Sequence, residues 1–189
     1  MKQVYNLEQL AILVGIIKQH VRKHMPVIFE LVVDLWDDSA LQLALATLIE
    51  ALGKATDAEF KPFLHNILPH LVRTFDVHLT DRVAQTQMKI LDAFLTFGVG
   101  LEEYLQLIIP IIVRTYARVD APTALRKRAM QTLEGMLSRL NLSDYASRII
   151  HALVRVLSEH KNELRTGAMD ALCALLLQMG SDKIGRAHV

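Results

Sequence analysis

The sequence contains one stretch, Asp144-Tyr145-Ala146-Ser147-Arg148-Ile149-Ile150-His151-Ala152-Leu153-Val154-Arg155, whose pattern recurs twice at earlier positions. Both recurrences keep the same offset of 41 residues. The repeated positions are an aromatic, three aliphatic residues and an arginine: Phe63, Tyr104 and Tyr145; Ile67, Ile108 and Ile149; Leu68, Ile109 and Ile150; Val72, Val113 and Val154; Arg73, Arg114 and Arg155. A period of about 40 residues with two helical patterns in each unit predicts stacked helix pairs, that is, an α-solenoid.

The predicted fold class is all-α. We expect a solenoid of HEAT-type helix pairs that fills residues 1–183 with about four and a half repeats and nine helices. Helix starts are marked by capping residues such as Asn6, Ser39 and Thr80. These signals place the repeats at about 6–38, 39–78, 80–119 and 120–160, followed by an incomplete repeat at 162–183.

Three residues are predicted to end or kink the helices in which they lie. Gly53 predicts the end region of the third helix, because glycine commonly follows the last helical residue. Pro69 and Pro110 fall inside the second helices of their repeats, where each removes one backbone hydrogen bond and predicts a kink. The alternative is that each proline marks the start of a shorter helix after an irregular turn.

Composition excludes several classes of protein. The chain has 189 residues, of which 52% are hydrophobic and only 6% aromatic, as is typical of a globular helical protein. Its formal net charge of +1, from 21 basic and 20 acidic residues, provides no overall field to attract nucleic acid or an anionic membrane. The single cysteine, Cys173, is predicted to be a small core residue in a reducing compartment.

The two ends of the chain are set apart from the repeats. The apolar run Leu10 to Ile17 is too short to span a bilayer and lacks a signal cleavage site, so we predict no membrane insertion. Residues 184–189 break the helical pattern and resemble the translation of a sequencing-library adapter. We therefore expect a non-native tail there, on an open-ended fragment of a longer solenoid.

No constellation of catalytic residues can be found in the sequence. The 8 glycines are scattered and form no phosphate-binding loop, there is no Asp-Phe-Gly, and Asp81-Arg82 is followed by Val83 rather than by a catalytic-loop pattern. His20 and His24 could share a helix face but lack the glutamate and third ligand of a zinc site. We predict a non-catalytic segment without cofactor or metal.

The arginine column is the candidate interaction site. Arg73, Arg114 and Arg155 occupy equivalent repeat positions and are predicted to project from one face of the second helices, next to Arg148 and His151. The favoured interpretation is structural: each guanidinium bonds a carboxylate or carbonyl of a neighbouring repeat, and Arg155 also pairs with Glu159. The functional alternative is a site for an acidic partner segment.

The basic cluster at Lys127 is a separate feature. Lys127 stands between Arg126 and Arg128, near the start of the seventh predicted helix. We interpret this cluster as a solvated helix face rather than a nucleic-acid patch, because a short run of like charges is usually exposed to water.

A family resemblance adds to this interpretation. The Tyr145-Ala146-Ser147-Arg148-Ile149-Ile150-His151 motif, together with Glu163-Leu164-Arg165-Thr166-Gly167-Ala168-Met169-Asp170-Ala171-Leu172, resembles the middle HEAT region of target of rapamycin (TOR) kinases. Looser similarity extends back to about residue 50, and residues 1 to 50 match only weakly. Ala152 departs from the family pattern, which has a proline there. That departure bears on local helix shape more than on family membership.

The resemblance implies a piece of a very large serine/threonine protein kinase that controls growth in response to nutrients. The kinase domain of such a protein lies far C-terminal to this region. In that family the solenoid holds the dimer together and carries partner subunits such as a raptor-type adaptor. The implied locations are the cytoplasm and the surface of the lysosome or vacuole, with the nucleus as a further compartment.

Two other classes of protein share the predicted repeats or their helical content. One is a HEAT or armadillo scaffold of a nuclear transport receptor or of a phosphatase regulatory subunit. The other is a helical enzyme that binds a small molecule, which requires a pocket with convergent polar groups. The sequence offers no such set of residues.

Overall fold

The computed structural model describes residues 2–159 and 163–186, and the side chains of these residues except 57, 58 and 181–186. Every regular element in the described part of the chain is helical. The predicted all-α class is therefore confirmed.

The α-helices follow one another with short connections. Their bounds are α1 Lys2–Ile17, α2 Met25–Leu35, α3 Gln42–Thr56, α4 Leu64–Arg73, α5 Asp81–Phe97, α6 Leu105–Ala117, α7 Thr123–Leu137, α8 Ala146–Leu157 and α9 Arg165–Arg186. Among the described residues, four 3₁₀ segments join or precede them: Lys18–His24, Asp57–Phe63, Gly98–Tyr104 and Ser143–Tyr145. The first helices of the repeats thus pass directly into the second ones at three junctions, without a non-helical residue between them.

The chain forms two compact units, Met1–Glu103 and Tyr104–Val189. In the first unit α3 packs between α1 and α5, and α2 packs against α4. In the second unit α6 packs against α7 and α8, and α9 packs against the same two helices. Each unit is built from stacked helix pairs, which is the arrangement expected of a solenoid.

Six of the nine aliphatic positions in the predicted 41-residue register are buried. Ile67, Ile108 and Ile149 are each completely buried. The next column is buried at Leu68 and Ile109 but only partly buried at Ile150. Val154 is 48% exposed although its equivalent Val113 is buried, because α8 buries a narrow stripe formed by Ala146, Ile149, Ala152, Leu153 and Val156.

The sequence predicted that Gly53 marks the end of the third helix, and this prediction is wrong. Helix α3 continues to Thr56, and Gly53 lies inside it against α5. A Cβ atom at this position would collide with the Oγ1 of Thr96 and lie 3.1 Å from the Cβ of Thr96. The glycine is therefore explained by the close approach of α3 and α5, not by the termination of α3.

Pro69 and Pro110 lie inside α4 and α6, as predicted, and neither begins its helix. The expected break at Ile184 is not seen, because α9 continues to Arg186. Residues 187–189 lie outside the described residues.

Cys173 does not belong to the core. It lies on the exposed side of α9, whereas Ala171 and Leu175 on the same helix are completely buried. The prediction failed because an apolar helical position can lie at the margin of the buried stripe, and only the packing of α9 on α7 and α8 fixes which side is covered.

One helical stretch, Asp81–Ala117, is long and apolar enough to cross a membrane by length and composition alone. Of its most apolar window, 44% is buried inside the protein. Core helices of soluble proteins meet the same criterion, so this is weak evidence for a membrane span.

Candidate protein-binding groove

Helix α8 carries a row of exposed basic side chains. Arg148, His151 and Arg155 are three and four residues apart, which places them on one face of the helix. The opposite stripe is buried, with Ile149 and Leu153 completely covered. The amphipathic pattern of α8 therefore points these three side chains away from the core.

This row forms one wall of a groove between α6 and α8. The groove encloses about 760 Å³ and is lined by Val113 and Ala117 of α6 and by Asp144, Tyr145, Ser147, Arg148, His151, Ala152 and Arg155 around α8. Its formal charge is +1, from Arg148 and Arg155 against Asp144. The groove therefore joins an apolar wall on α6 to a cationic wall on α8.

Arg155 is held in place by the neighbouring helix. Its Nη2 donates a hydrogen bond of 2.8 Å to the carbonyl oxygen of Ala117, at the end of α6. The predicted pairing of Arg155 with Glu159 is wrong, because Glu159 accepts from Arg126 instead. Since a guanidinium has five N–H donors, Arg155 keeps further donors on its exposed side.

The structure brings together only part of the predicted arginine column. Arg148, His151 and Arg155 line the groove, whereas Arg114 is exposed on α6 and is not among the lining residues. Arg73 belongs to the other unit, at the end of α4, where its side chain is exposed. The part of the chain that the structure describes contains no group of three or more His, Cys, Asp or Glu side chains able to hold a metal ion.

Comparison with known proteins shows the family. A family sequence model described as "Stalled ribosome sensor GCN1-like, HEAT repeats" matches residues 39–187. The chain belongs to the HEAT-repeat family.

Among curated proteins, this HEAT segment is similar to TOR kinases along nearly its whole length. It is 36% identical to the serine/threonine-protein kinase tor1 of Schizosaccharomyces pombe, with 94% of the chain and 8% of that protein covered. It is 34% identical to TOR2 of Saccharomyces cerevisiae, with 94% of the chain and 7% of that protein covered. It is 36% identical to mTor of Drosophila melanogaster, with 92% of the chain and 7% of that protein covered. The predicted relationship to TOR is confirmed, and the chain spans less than a tenth of the length of these relatives.

A recurring hydrogen bond connects the first helix of a repeat to the preceding second helix, and it was not predicted from the sequence. A long polar side chain on the first helix of a repeat donates a hydrogen bond to a carbonyl near the end of the preceding second helix. Three examples in the described part of the chain are Gln42 Nε2 to Trp36 at 3.0 Å, Gln87 Nε2 to Thr74 at 2.9 Å and Arg126 Nε to Tyr116 at 2.8 Å. Each bond satisfies a carbonyl that has no partner within its own helix.

The sequence contains a signal for this hydrogen bond, namely a polar residue on the buried stripe of a helix. Gln87 lies on the same stripe as Ala84, Leu91 and Phe94, and all four are buried. Arg126 likewise lies on the buried stripe of α7 and is only 6% exposed, so the predicted solvated face at Lys127 does not include it. A polar residue at a core position of a helix predicts a buried hydrogen bond, because an unpaired polar group there is costly.

Arg126 also takes part in a partly buried ion pair. Its Nη2 lies 2.7 Å from Oε1 of Glu159, and the side chains of Arg126 and Glu159 are 7% and 23% exposed. The nearby Tyr116 hydroxyl donates to the carbonyl of Ile149 at 3.2 Å, and burial raises the pKa of Tyr116, which keeps the phenol neutral. These bonds tie α6, α7 and α8 into one network.

Proposed function

We propose that the chain is a non-catalytic scaffold segment of a TOR-like serine/threonine protein kinase and that it binds protein partners. The observation that carries the proposal is the row Arg148, His151 and Arg155 along the α6–α8 groove. The similarity to TOR kinases supports the parent activity, with phosphate transfer performed by a domain outside this chain.

In this proposal the groove holds an acidic segment of a partner. Carboxylates of the segment pair with Arg148 and with the free donors of Arg155, because hydrogen bonds between ionised groups are stronger than neutral ones. Ala117 on the opposite wall packs against aliphatic atoms of the same segment. A raptor-type adaptor and a second copy of the parent kinase are the partners we propose, so that the segment serves adaptor binding and dimerisation.

The proposed location follows from the proposed partners. A scaffold segment of this kinase acts in the cytoplasm and, as part of a complex, at the surface of the lysosome or vacuole. The nucleus is a further proposed compartment. Immunofluorescence of the tagged parent kinase, with a vacuolar or lysosomal marker, tests this placement.

A charge reversal in the groove tests partner binding. We expect Arg148→Glu to weaken binding of the purified chain to a purified raptor-type adaptor, or self-association of the chain, by about tenfold or more, since it turns an attraction into a repulsion. Biolayer interferometry measures the first and light scattering the second. Lys127→Glu is the matched control, because Lys127 is exposed on α7 and does not line the groove.

Two results would contradict the proposal. One is an equal loss in Arg148→Glu and Lys127→Glu, which would indicate a general effect of charge. The other is the absence of both adaptor binding and self-association in the unaltered chain at micromolar concentration.

A further inference from the structure

The first unit has a groove of its own, between α1 and α3, that the proposed function does not use. It encloses about 860 Å³, with Lys89 of α5 at its edge. Small residues line it on both sides: Ala11 and Gly15 on α1, and Ala51 and Ala55 on α3. A Cβ atom at Gly15 would meet nothing within 4 Å, so the groove is open at that point.

The groove has an exposed apolar side chain that an occupant could cover. Ile12 lines the groove and is 57% exposed. Gly15, which lies next to Ile12 one turn further along α1, has no side chain that could shield it. Burying an aliphatic side chain of this size against a partner is favourable, because it removes apolar area from water.

The charges around the groove favour an acidic occupant. Three lysines line it, Lys18, Lys54 and Lys89, against the two carboxylates of Glu8 and Glu50. The Glu50 side chain is only 11% exposed, and its two oxygens are already bonded by Lys54 Nζ at 2.5 Å and Lys89 Nζ at 3.2 Å.

The lysines nevertheless keep the capacity to bind an outside group. Lys54 and Lys89 are 63% and 39% exposed. Each ammonium group has three N–H donors, and Glu50 uses one from each. Lys18 is exposed as well, and its backbone has a φ of 48°, a left-handed conformation that is uncommon for a residue other than glycine and is often found at functional sites.

The dimensions of the groove indicate the kind of segment that fits. One wall extends from Glu8 on α1 to Lys18, the first residue after α1, which corresponds to roughly 15 Å along a helix, or about three turns. A helix that lies between two helices lined by small residues can approach both closely, with anchors spaced at i, i+3 or i+4, and i+7.

We infer that the α1–α3 groove binds an amphipathic helix of a partner protein. The helix packs an aliphatic stripe on Ile12 and the small residues, and its carboxylates meet Lys18 and Lys54. This site is independent of the α6–α8 groove, because its residues belong to the other unit.

A peptide probe tests this inference on the whole chain. The probe is a fluorescein-labelled, helix-stapled peptide of about 12 residues with leucine at i, i+4 and i+7 and glutamates at one end, and its binding is measured by fluorescence polarisation. We expect Gly15→Trp to weaken binding by about tenfold or more, because the indole fills the open groove, and Lys18→Ala to weaken it by a few-fold. Gly180→Trp is the matched control, since a Cβ at Gly180 also meets nothing within 4 Å and Gly180 belongs to the second unit.

Each possible outcome has a defined meaning. Binding that is lost in Gly15→Trp, kept in Gly180→Trp and absent for a peptide with lysines in place of glutamates supports the inference. No saturable binding of the glutamate peptide, or equal binding by Gly15→Trp with unchanged circular dichroism, overturns it. If the chain self-associates and Gly15→Trp abolishes that self-association, the occupant is instead a second copy of the chain. Because Arg148→Glu leaves this groove intact, failure here is distinguishable from failure of the proposed function.

Discussion

Gln87 in the first unit and Arg126 in the second perform the same task with different chemistry. Each lies on the buried stripe of the first helix of a repeat, and each donates to a carbonyl near the end of the preceding second helix. Gln87 is neutral and needs no counter-charge. Arg126 brings a charge into the interior and is paired there with Glu159.

The comparison shows how the charge of the donor changes the free-energy cost of burying a side chain that makes the same kind of hydrogen bond. Burying a neutral amide that is 3% exposed costs far less than burying a charge, and one hydrogen bond offsets part of that cost. An arginine side chain that is 7% exposed requires a partner of opposite charge, and the two must be present together. We therefore expect the loss of the Arg126 side chain to lower the free energy of unfolding more than the loss of the Gln87 side chain.

The largest effect is expected for Arg126→Ala. The substitution leaves the Tyr116 carbonyl without its donor and Glu159 without its counter-charge, so we expect a loss of about 3 to 5 kcal/mol in the free energy of unfolding. Urea denaturation followed by circular dichroism measures the loss. Lys127→Ala is the control, because the neighbouring side chain is exposed, and a loss below about 1 kcal/mol for Arg126→Ala would show that the ion pair adds little.

A smaller effect is expected for Gln87→Ala in the first unit. Here only the carbonyl of Thr74 is left unpaired, and the expected loss is about 1 to 3 kcal/mol. Gln85→Ala is the matched control, because Gln85 is two residues away on the same helix and exposed. If Gln87→Ala cost as much as Arg126→Ala in the same urea experiment, charge would not explain the difference between the two units.

A double substitution can convert the charged arrangement into the neutral one. Arg126→Gln together with Glu159→Gln keeps a donor near the Tyr116 carbonyl and removes both charges. We expect the double variant to be within about 1.5 kcal/mol of the unaltered chain, and clearly more stable than Arg126→Gln alone. Glu159→Gln alone completes a double-mutant cycle of four proteins, and additive losses would mean that Arg126 and Glu159 do not depend on each other.

Sequence alone could predict part of the core of the repeats but not the contacts between repeats. The column Ile67, Ile108 and Ile149 follows from helical periodicity and the 41-residue offset, and all three are buried. Gly53, Cys173 and Arg126 were misjudged because their environments are set by a helix distant in the sequence: Thr96 faces Gly53, and Glu159 faces Arg126. Periodicity identifies the buried face of a helix, whereas the partner of a residue on that face depends on how two helices pack.

The candidate groove was predictable in part for the same reason. Arg148, His151 and Arg155 share a face of α8, which their spacing within one helix dictates. The bond from Arg155 to Ala117 and the position of Arg114 outside the groove depend on the packing of α6 against α8. Spacing within a helix therefore predicted the cationic row, and only the structure supplied its opposite wall.

The two units also differ in how they use carboxylates, and this difference sets a pH dependence. Burial raises the pKa of Glu50 in the first unit, but the hydrogen bonds and charges of Lys54 and Lys89 outweigh it and leave the pKa below its usual value. In the second unit the hydrogen bond from Arg118 lowers the pKa of Asp120, which is fully exposed. Solvent screens an exposed pair strongly, so Asp120 is expected to contribute little to stability.

The smallest expected effect is the loss of the Glu50 contribution in acid. Because the pKa of Glu50 is lower in the folded than in the unfolded chain, its contribution is fully present above the unfolded value of about 4.5 and is lost as the pH falls through the folded value. Unfolding free energies measured in urea from pH 6 down to pH 3 should therefore decline less steeply for Glu50→Gln than for the unaltered chain. Asp120→Asn is the control and should leave the slope unchanged. If Asp120→Asn flattened the slope and Glu50→Gln did not, the exposed pair at Arg118 would be the stronger of the two, and burial would not be what makes a carboxylate matter in these repeats.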